Sequence, residues 1–136
     1  MDTANPRILY VEDDMLSRSV AEILFTQVLG FKHITTFENS ENFIDRLEKL
    51  ENKPDVIFLD IQMRPHDGYE LLEMLRKQPD YADATVVALT ANVMAHDVEK
   101  LKQVGFNGLI GKPLMREIFP QLVQNIIAGQ AVWYIP

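Results

Sequence analysis

The sequence predicts an α/β protein, a doubly wound parallel sheet with helices on both faces. Three observations predict it. Short apolar or β-branched runs alternate five times with longer segments of helical periodicity, the connections between them are short, and polar residues gather just after the apolar runs. Such alternation favours parallel strands joined by right-handed crossovers.

The elements follow in order. Arg7–Val11 is a strand, and a helix runs from about Leu16 to Leu29 with Leu16, Val20, Ile23, Leu24 and Val28 on one face. Gly30 stops it. Ile34–Phe37 is a short second strand. Ser40 then reads as the N-cap of a helix bearing Phe43, Leu47 and Leu50 at helical spacing. Val56–Leu59 is fully apolar, as a strand covered on both faces should be, and it ends at Asp60. A helix from about Tyr69 to Lys77 turns Leu71, Leu72 and Leu75 inward. Thr85–Leu89 is a β-branched strand, and the helix from about Met94 to Val104 ends at Gly105. Gly108–Ile110 is a minimal fifth strand, and Glu117–Ala128 is the last helix.

Composition narrows the function. The 136 residues suit one domain with a real core. No apolar stretch approaches the roughly 20 residues that span a bilayer, and no secretory pattern opens the chain, so membrane attachment is not expected. Cysteine is absent, which removes thiol chemistry and fits a cytoplasmic location. A formal charge of −7 without a Lys/Arg cluster argues against nucleic acid. His33, His66 and His96 lack metal-ligand spacing and read as surface residues, and the methionines read as core filler.

The strand carboxyl ends of a parallel sheet share one edge, where open α/β sheets build their sites. Glu12, Asp13 and Asp14 follow the first strand, Asp60 the third, Thr90-Ala91 the fourth and Lys112-Pro113 the fifth. Taken singly, these are ordinary caps, turn residues and a surface lysine. Together they describe a pocket. Converging carboxylates repel and raise one another's pKa values, and a hard cation removes that conflict. Mg²⁺ suits a few carboxylates completed by water and phosphoryl oxygen. Lys112 and Thr90 add an ammonium and a hydroxyl on the other side of a phosphoryl group at Asp60.

The runs Ile8-Leu9-Tyr10-Val11-Glu12-Asp13-Asp14, Ile57-Phe58-Leu59-Asp60-Ile61-Gln62-Met63 with Asp67-Gly68, Ala88-Leu89-Thr90-Ala91 and Gly111-Lys112-Pro113 carry a resemblance. In this order and spacing they resemble the receiver domains of two-component response regulators, over nearly the whole chain to about Ala128. The resemblance implies a flavodoxin-like (βα)5 sheet of strand order 2-1-3-4-5. It implies that residues 1–128 form the receiver and that residues 129–136 are an apolar tail.

The roles it implies are specific. Asp60 is the phosphoacceptor, taking a phosphoryl group from a sensor histidine kinase, a histidine phosphotransfer protein or a small phosphodonor. Glu12 and Asp13 hold Mg²⁺ with Asp60 and the Gln62 backbone carbonyl, and Asp14 stands just outside the pair. Thr90 hydrogen-bonds the phosphoryl group, and Lys112 pairs with it. Ala91 matters by being small, and Gln62 and Asn92 occupy positions that influence water attack on the acyl phosphate. The Lys112–Pro113 bond is expected to be cis, pointing Lys112 inward. On this reading the protein is no enzyme beyond its own phosphorylation and dephosphorylation, and it switches the binding of a downstream protein target.

Two departures stand out. Met63-Arg64-Pro65 shifts the family's proline by one residue, which bears on loop shape. Leu109 stands where receivers usually carry Tyr or Phe, so no ring or hydroxyl reports the phosphorylated state from that position. A pseudo-receiver that binds partners without phosphorylation is the alternative this leaves. A phosphohydrolase with Asp60 as nucleophile, in the manner of haloacid dehalogenase-like enzymes, fits poorly, because Gln62 stands where the second acid is needed. The apolar end Ala131-Val132-Trp133-Tyr134-Ile135-Pro136 is expected to pack on its own domain, or else to dock on a second copy, giving a homodimer, or on a partner. No length remains for an output domain, and the chain reads as stand-alone.

Overall fold

The computed structural model describes residues 1–91 and 95–136, the side chains at 95 and 96 excepted. Six strands form one parallel sheet: β1 (Arg7–Val11), β2 (His33–Phe37), β3 (Val56–Leu59), β4 (Thr85–Thr90), β5 (Gly108–Gly111) and β6 (Val132–Tyr134), in the spatial order β2-β1-β3-β4-β5-β6. The expected flavodoxin-like order of five is present, and the chain end adds a sixth strand beside β5. The helices are α1 (Met15–Ile23), α2 (Phe43–Glu48), α3 (Gly68–Arg76), α4 (Ala95–Val104) and α5 (Phe119–Ile127).

Strand alternation sends successive side chains to opposite faces, and two cores result. Leu9, Val11, Ile57, Leu59, Val86, Ala88 and Leu109 pack under α2, α3 and α4, against Phe43, Leu47, Leu71, Leu72, Leu75 and Leu101. Ile8, Tyr10, Val56, Phe58, Val87, Leu89 and Ile110 pack under α1 and α5, against Ala21, Leu24, Phe25, Phe119 and Val123. Phe25 is the hub of the second core, its ring centroid 5.3 Å from Phe58 and 5.4 Å from Phe119.

That hub corrects the expected face of α1. Leu16, Val20, Ile23 and Val28 face solvent, whereas Leu24, the one expected inward residue that is buried, is joined by Ala21 and Phe25. The reason is partly size, since Phe25 fills more core than any residue on the expected stripe and Ala21 lets the helix approach the sheet. It is also partly phase. Leu24–Val28 continues the helix as a π-turn, with Leu29 N–H reaching Leu24 O at 2.9 Å, and this wider turn rotates the last residues away from a 3.6-residue stripe.

Ser40 is a second correction. The residue before α2 is Asn42, in the left-handed region at φ 49° and without a side-chain cap. Ser40 is wholly buried and instead staples the loop after β3, donating to His66 O at 2.7 Å and accepting from His66 N–H at 2.9 Å. Both Arg64–Pro65 and Lys112–Pro113 are cis. A 3-10 turn at Pro79–Tyr81 precedes β4.

Candidate phosphoacceptor site

The strand ends deliver the site by continuing their ladders. Glu12 N–H bonds Phe37 O at 3.0 Å, Asp60 N–H bonds Val11 O at 3.0 Å, and Lys112 N–H bonds Thr90 O at 2.8 Å. Each residue is therefore fixed by its neighbour strand one step beyond the regular pairing. Glu12 comes two residues after Tyr10, Asp60 two after Phe58 and Lys112 two after Ile110, three positions that share the α1/α5 face.

Glu12, Asp13 and Asp60 each place a carboxylate oxygen within 4.8 Å of the others. Glu12 is wholly buried and Asp60 nearly so, while Asp13 is exposed and opens the cluster to water. Lys112 Nζ contacts Glu12 Oε1 directly and stands 3.6 Å from Asp60 Oδ2 and 3.4 Å from Ser17 Oγ. Burial, together with a proton shared with Glu12 and the Glu12 charge, raises the Asp60 carboxyl to about 7. Burial works against ionising Glu12 too, but bonds to Asp60, Lys112 and Tyr10 outweigh it and hold Glu12 below the usual carboxylate range. The pair thus holds a proton more tightly than ordinary carboxylates do, and a divalent cation would compete with it.

The donor set fits such a cation. Three carboxylates on one side, one of them water-facing, are hard oxygen ligands of the kind Mg²⁺ takes from protein, with room left for water. Gln62 N–H donates to Asp60 Oδ1 at 3.2 Å, which orients the acceptor carboxylate from the loop beyond it. Gly68 lets that loop close. A Cβ there would sit 2.6 Å from Asp60 O and 2.9 Å from Ile61 Cα, and Gly68 N–H bonds Ile61 O at 2.9 Å. Asp67 caps α3 in a reciprocal box with Glu70, holding the far end of the same loop.

Other expected residues fall at the rim or away from it. Asp14 is the N-cap of α1, accepting from Ser17 N–H and Oγ–H at 2.9 and 2.7 Å. Thr90 is buried at the end of β4, its Oγ donating to Ala91 O at 3.3 Å. Ala91 lines an open hollow of ≈ 380 Å³ with Leu16, Val20, Lys112, Pro113 and Leu114. Leu109 is fully buried in the α4 core, in register with Ala88 on one side and Trp133 on the other. Asn92 lies outside the described residues.

Sequence reasoning passed over Tyr10 and Arg18. Tyr10 Oη donates to Glu12 Oε1 at 2.7 Å in a wholly buried setting, and Arg18 donates to Glu12 O at 2.7 Å. The available signal was a phenol inside the apolar run Ile8–Val11, two residues from an acid and so on the same face. Burial and the Glu12 charge push the Tyr10 hydroxyl far above its usual range, so it is always a donor.

Comparison with known proteins agrees with this geometry. Residues 8–124 match the response regulator receiver domain, and the chain belongs to that family. It is 37% identical over 123 residues to a probable transcriptional regulator, ycf29, of Porphyra purpurea, covering 88% of this chain and 56% of that protein. It is 27% identical over 121 residues to the polar-differentiation response regulator DivK of Brucella anthropi, covering 88% of this chain and 94% of that one. Among solved structures, a putative response regulator from Chloroflexus aurantiacus shares the fold at a TM-score of 0.80 and 23% identity, over 91% of this chain and 98% of the other. Three larger curated relatives are matched over only 16%, 56% and 29% of their own lengths. Among the described residues no helix is long and apolar enough to cross a membrane.

Proposed function

We propose that the chain is the phosphoacceptor of a two-component relay, with Asp60 accepting the phosphoryl group and residues 129–136 as an added C-terminal element on a receiver of residues 1–128. The observation that carries this is the convergence of Glu12, Asp13 and Asp60 with the Lys112 ammonium 3.6 Å from Asp60 Oδ2. No single residue of that set carries the reading; their meeting on one sheet edge supports it.

In the proposed reaction an Asp60 carboxylate oxygen attacks phosphorus, the P–N bond of a phosphohistidine breaks, and its electron pair leaves with the imidazole. Glu12, Asp13, Asp60 and the Gln62 carbonyl would hold Mg²⁺, which when bound offsets charge on the phosphoryl oxygens. Lys112 supplies the second positive charge, turning from Glu12 toward the phosphoryl group. Thr90, at the end of β4, closes on it with its hydroxyl. Ala91 keeps the approach to Asp60 clear.

A histidine-bearing donor must reach this edge, and α1 offers it a seat. Met15, Leu16, Val20 and Ile23 are exposed along the helix, and Leu16 and Val20 line the hollow beside Lys112. An apolar strip bordering the acceptor suits a helical sensor kinase or histidine phosphotransfer protein.

The test is intact-mass spectrometry after incubation with acetyl phosphate, with and without Mg²⁺, beside Asp60→Asn. The expected outcome is one labile phosphate that requires the cation and disappears in the variant. Absence of an adduct, and of fluoroberyllate binding, would overturn the reading in favour of a partner-binding module that phosphorylation does not govern.

A further inference from the structure

Strand β1 is buried from Ile8 to Val11, and Tyr10 carries the one polar side chain among those four residues. A buried hydroxyl is costly without a partner. Here the partner belongs to the cluster: Tyr10 Oη donates at 2.7 Å to Oε1 of Glu12, one of the three clustered carboxylates. The same oxygen is contacted by Lys112 Nζ, whereas Oε2 accepts a longer bond, 3.3 Å, from Asp14 N–H. Oε1 is thus saturated by two donors, and Oε2 keeps capacity for a cation.

The two donors on Oε1 are not equivalent. Lys112 also reaches Asp60 Oδ2 at 3.6 Å and Ser17 Oγ at 3.4 Å, so its ammonium has somewhere else to go. Tyr10 is held in the α1/α5 core with Phe25 and Phe58. When Lys112 turns to a phosphoryl group, the buried Oε1 would lose its charged partner and Glu12 would be free to rotate, were Tyr10 not there.

We propose that Tyr10 is a positioning residue for the cation site, its hydroxyl holding Glu12 in the ligand orientation while Lys112 exchanges Glu12 for the phosphoryl group. This rests on the phosphoacceptor reading for the exchange, but the holding of Glu12 is testable without any phosphorylation.

The experiment uses the full chain and Tyr10→Phe, which keeps the ring and removes one oxygen. Mn²⁺ binding is titrated by electron paramagnetic resonance, and phosphorylation by acetyl phosphate is followed against Mg²⁺ concentration. The expected result is a three- to tenfold weaker Mn²⁺ affinity and an equal rise in half-saturating Mg²⁺, with less than a twofold change in rate at saturating cation. A purely structural role would move the melting temperature and leave the cation dependence alone. Tyr10→Leu, matching the aliphatic neighbours on β1, should weaken Mn²⁺ binding in the same direction. Unchanged Mn²⁺ affinity in both variants overturns the proposal, as does failure of the parent protein to bind Mn²⁺. A parent that binds Mn²⁺ but takes no phosphate would instead sink the phosphoacceptor reading, and the Mn²⁺ comparison would still decide the role of Tyr10.

Discussion

Asp60 shows how burying a carboxylate beside another costs stability. Its carboxyl is raised from 3.8 to about 7 by burial and by Glu12. Between those values the folded protein keeps a proton that the unfolded chain has released. The stabilisation is therefore complete below about pH 4 and is lost as pH rises through 7. Asp60→Asn removes that titration. In chelator it should be more stable than the parent at pH 8 by ~1 kcal/mol, roughly 4 °C in melting temperature, and the gap should close toward pH 4. A gap independent of pH would contradict the assignment. Gly68 makes the opposite point, a residue whose value lies in what it lacks. Gly68→Ala puts a methyl 2.6 Å from Asp60 O and against Ile61 Cα, so either the loop or the helix start must shift. A loss of ~2 kcal/mol in urea denaturation is expected, together with slower phosphorylation by acetyl phosphate.

At the scale of elements, the sequence was legible where period and chemistry agreed and misleading where they competed. Glu12, Asp13, Asp60, Thr90 and Lys112 could be placed on one edge because strand ends in a parallel sheet must share it. The inward face of α1 could not, because its apolar residues outnumber what the core admits. Leu16, Val20 and Ile23 satisfy helical spacing as well as Ala21, Leu24 and Phe25 do. Only the packing of Phe25 against Phe58 and Phe119 decides between the two sets. Ser40 failed for a related reason: a serine before a helix suits a cap, but its actual partner is His66, 26 residues away. The surplus apolar face on α1 carries its own prediction. Leu16→Glu with Val20→Glu should leave the melting temperature within about 2 °C and acetyl phosphate phosphorylation within twofold, because neither side chain is in the core. Transfer from a histidine-bearing partner should fall at least tenfold in the same variant, as measured by phosphoryl transfer kinetics.

For the molecule as a whole, the unforeseen element is β6. Three residues were too few to stand out as a strand, and their apolar character read as a tail. Yet Val132, Trp133 and Tyr134 pair with Gly108, Leu109 and Ile110, and Gly108 leaves room for Val132 O, 2.9 Å from where a Cβ would be. Trp133 joins the α4 core, with Lys102 of α4 5.2 Å above its ring. Movement of α4 on phosphorylation should therefore change the emission of Trp133, the one tryptophan in the chain. Acetyl phosphate with Mg²⁺ should shift or quench it, and Asp60→Asn should abolish the change. Because β6 runs parallel to the rest, it carries the polypeptide toward the acceptor edge rather than away from it. Pro136 ends beside Gly111, with a ring carbon 2.6 Å from where a Cβ on that glycine would stand, one residue before Lys112. Any group attached at Pro136, whether a dye, an epitope or an affinity handle, would therefore start from the sheet edge that holds Asp60 and Lys112. Labels for kinetic work belong at the amino terminus.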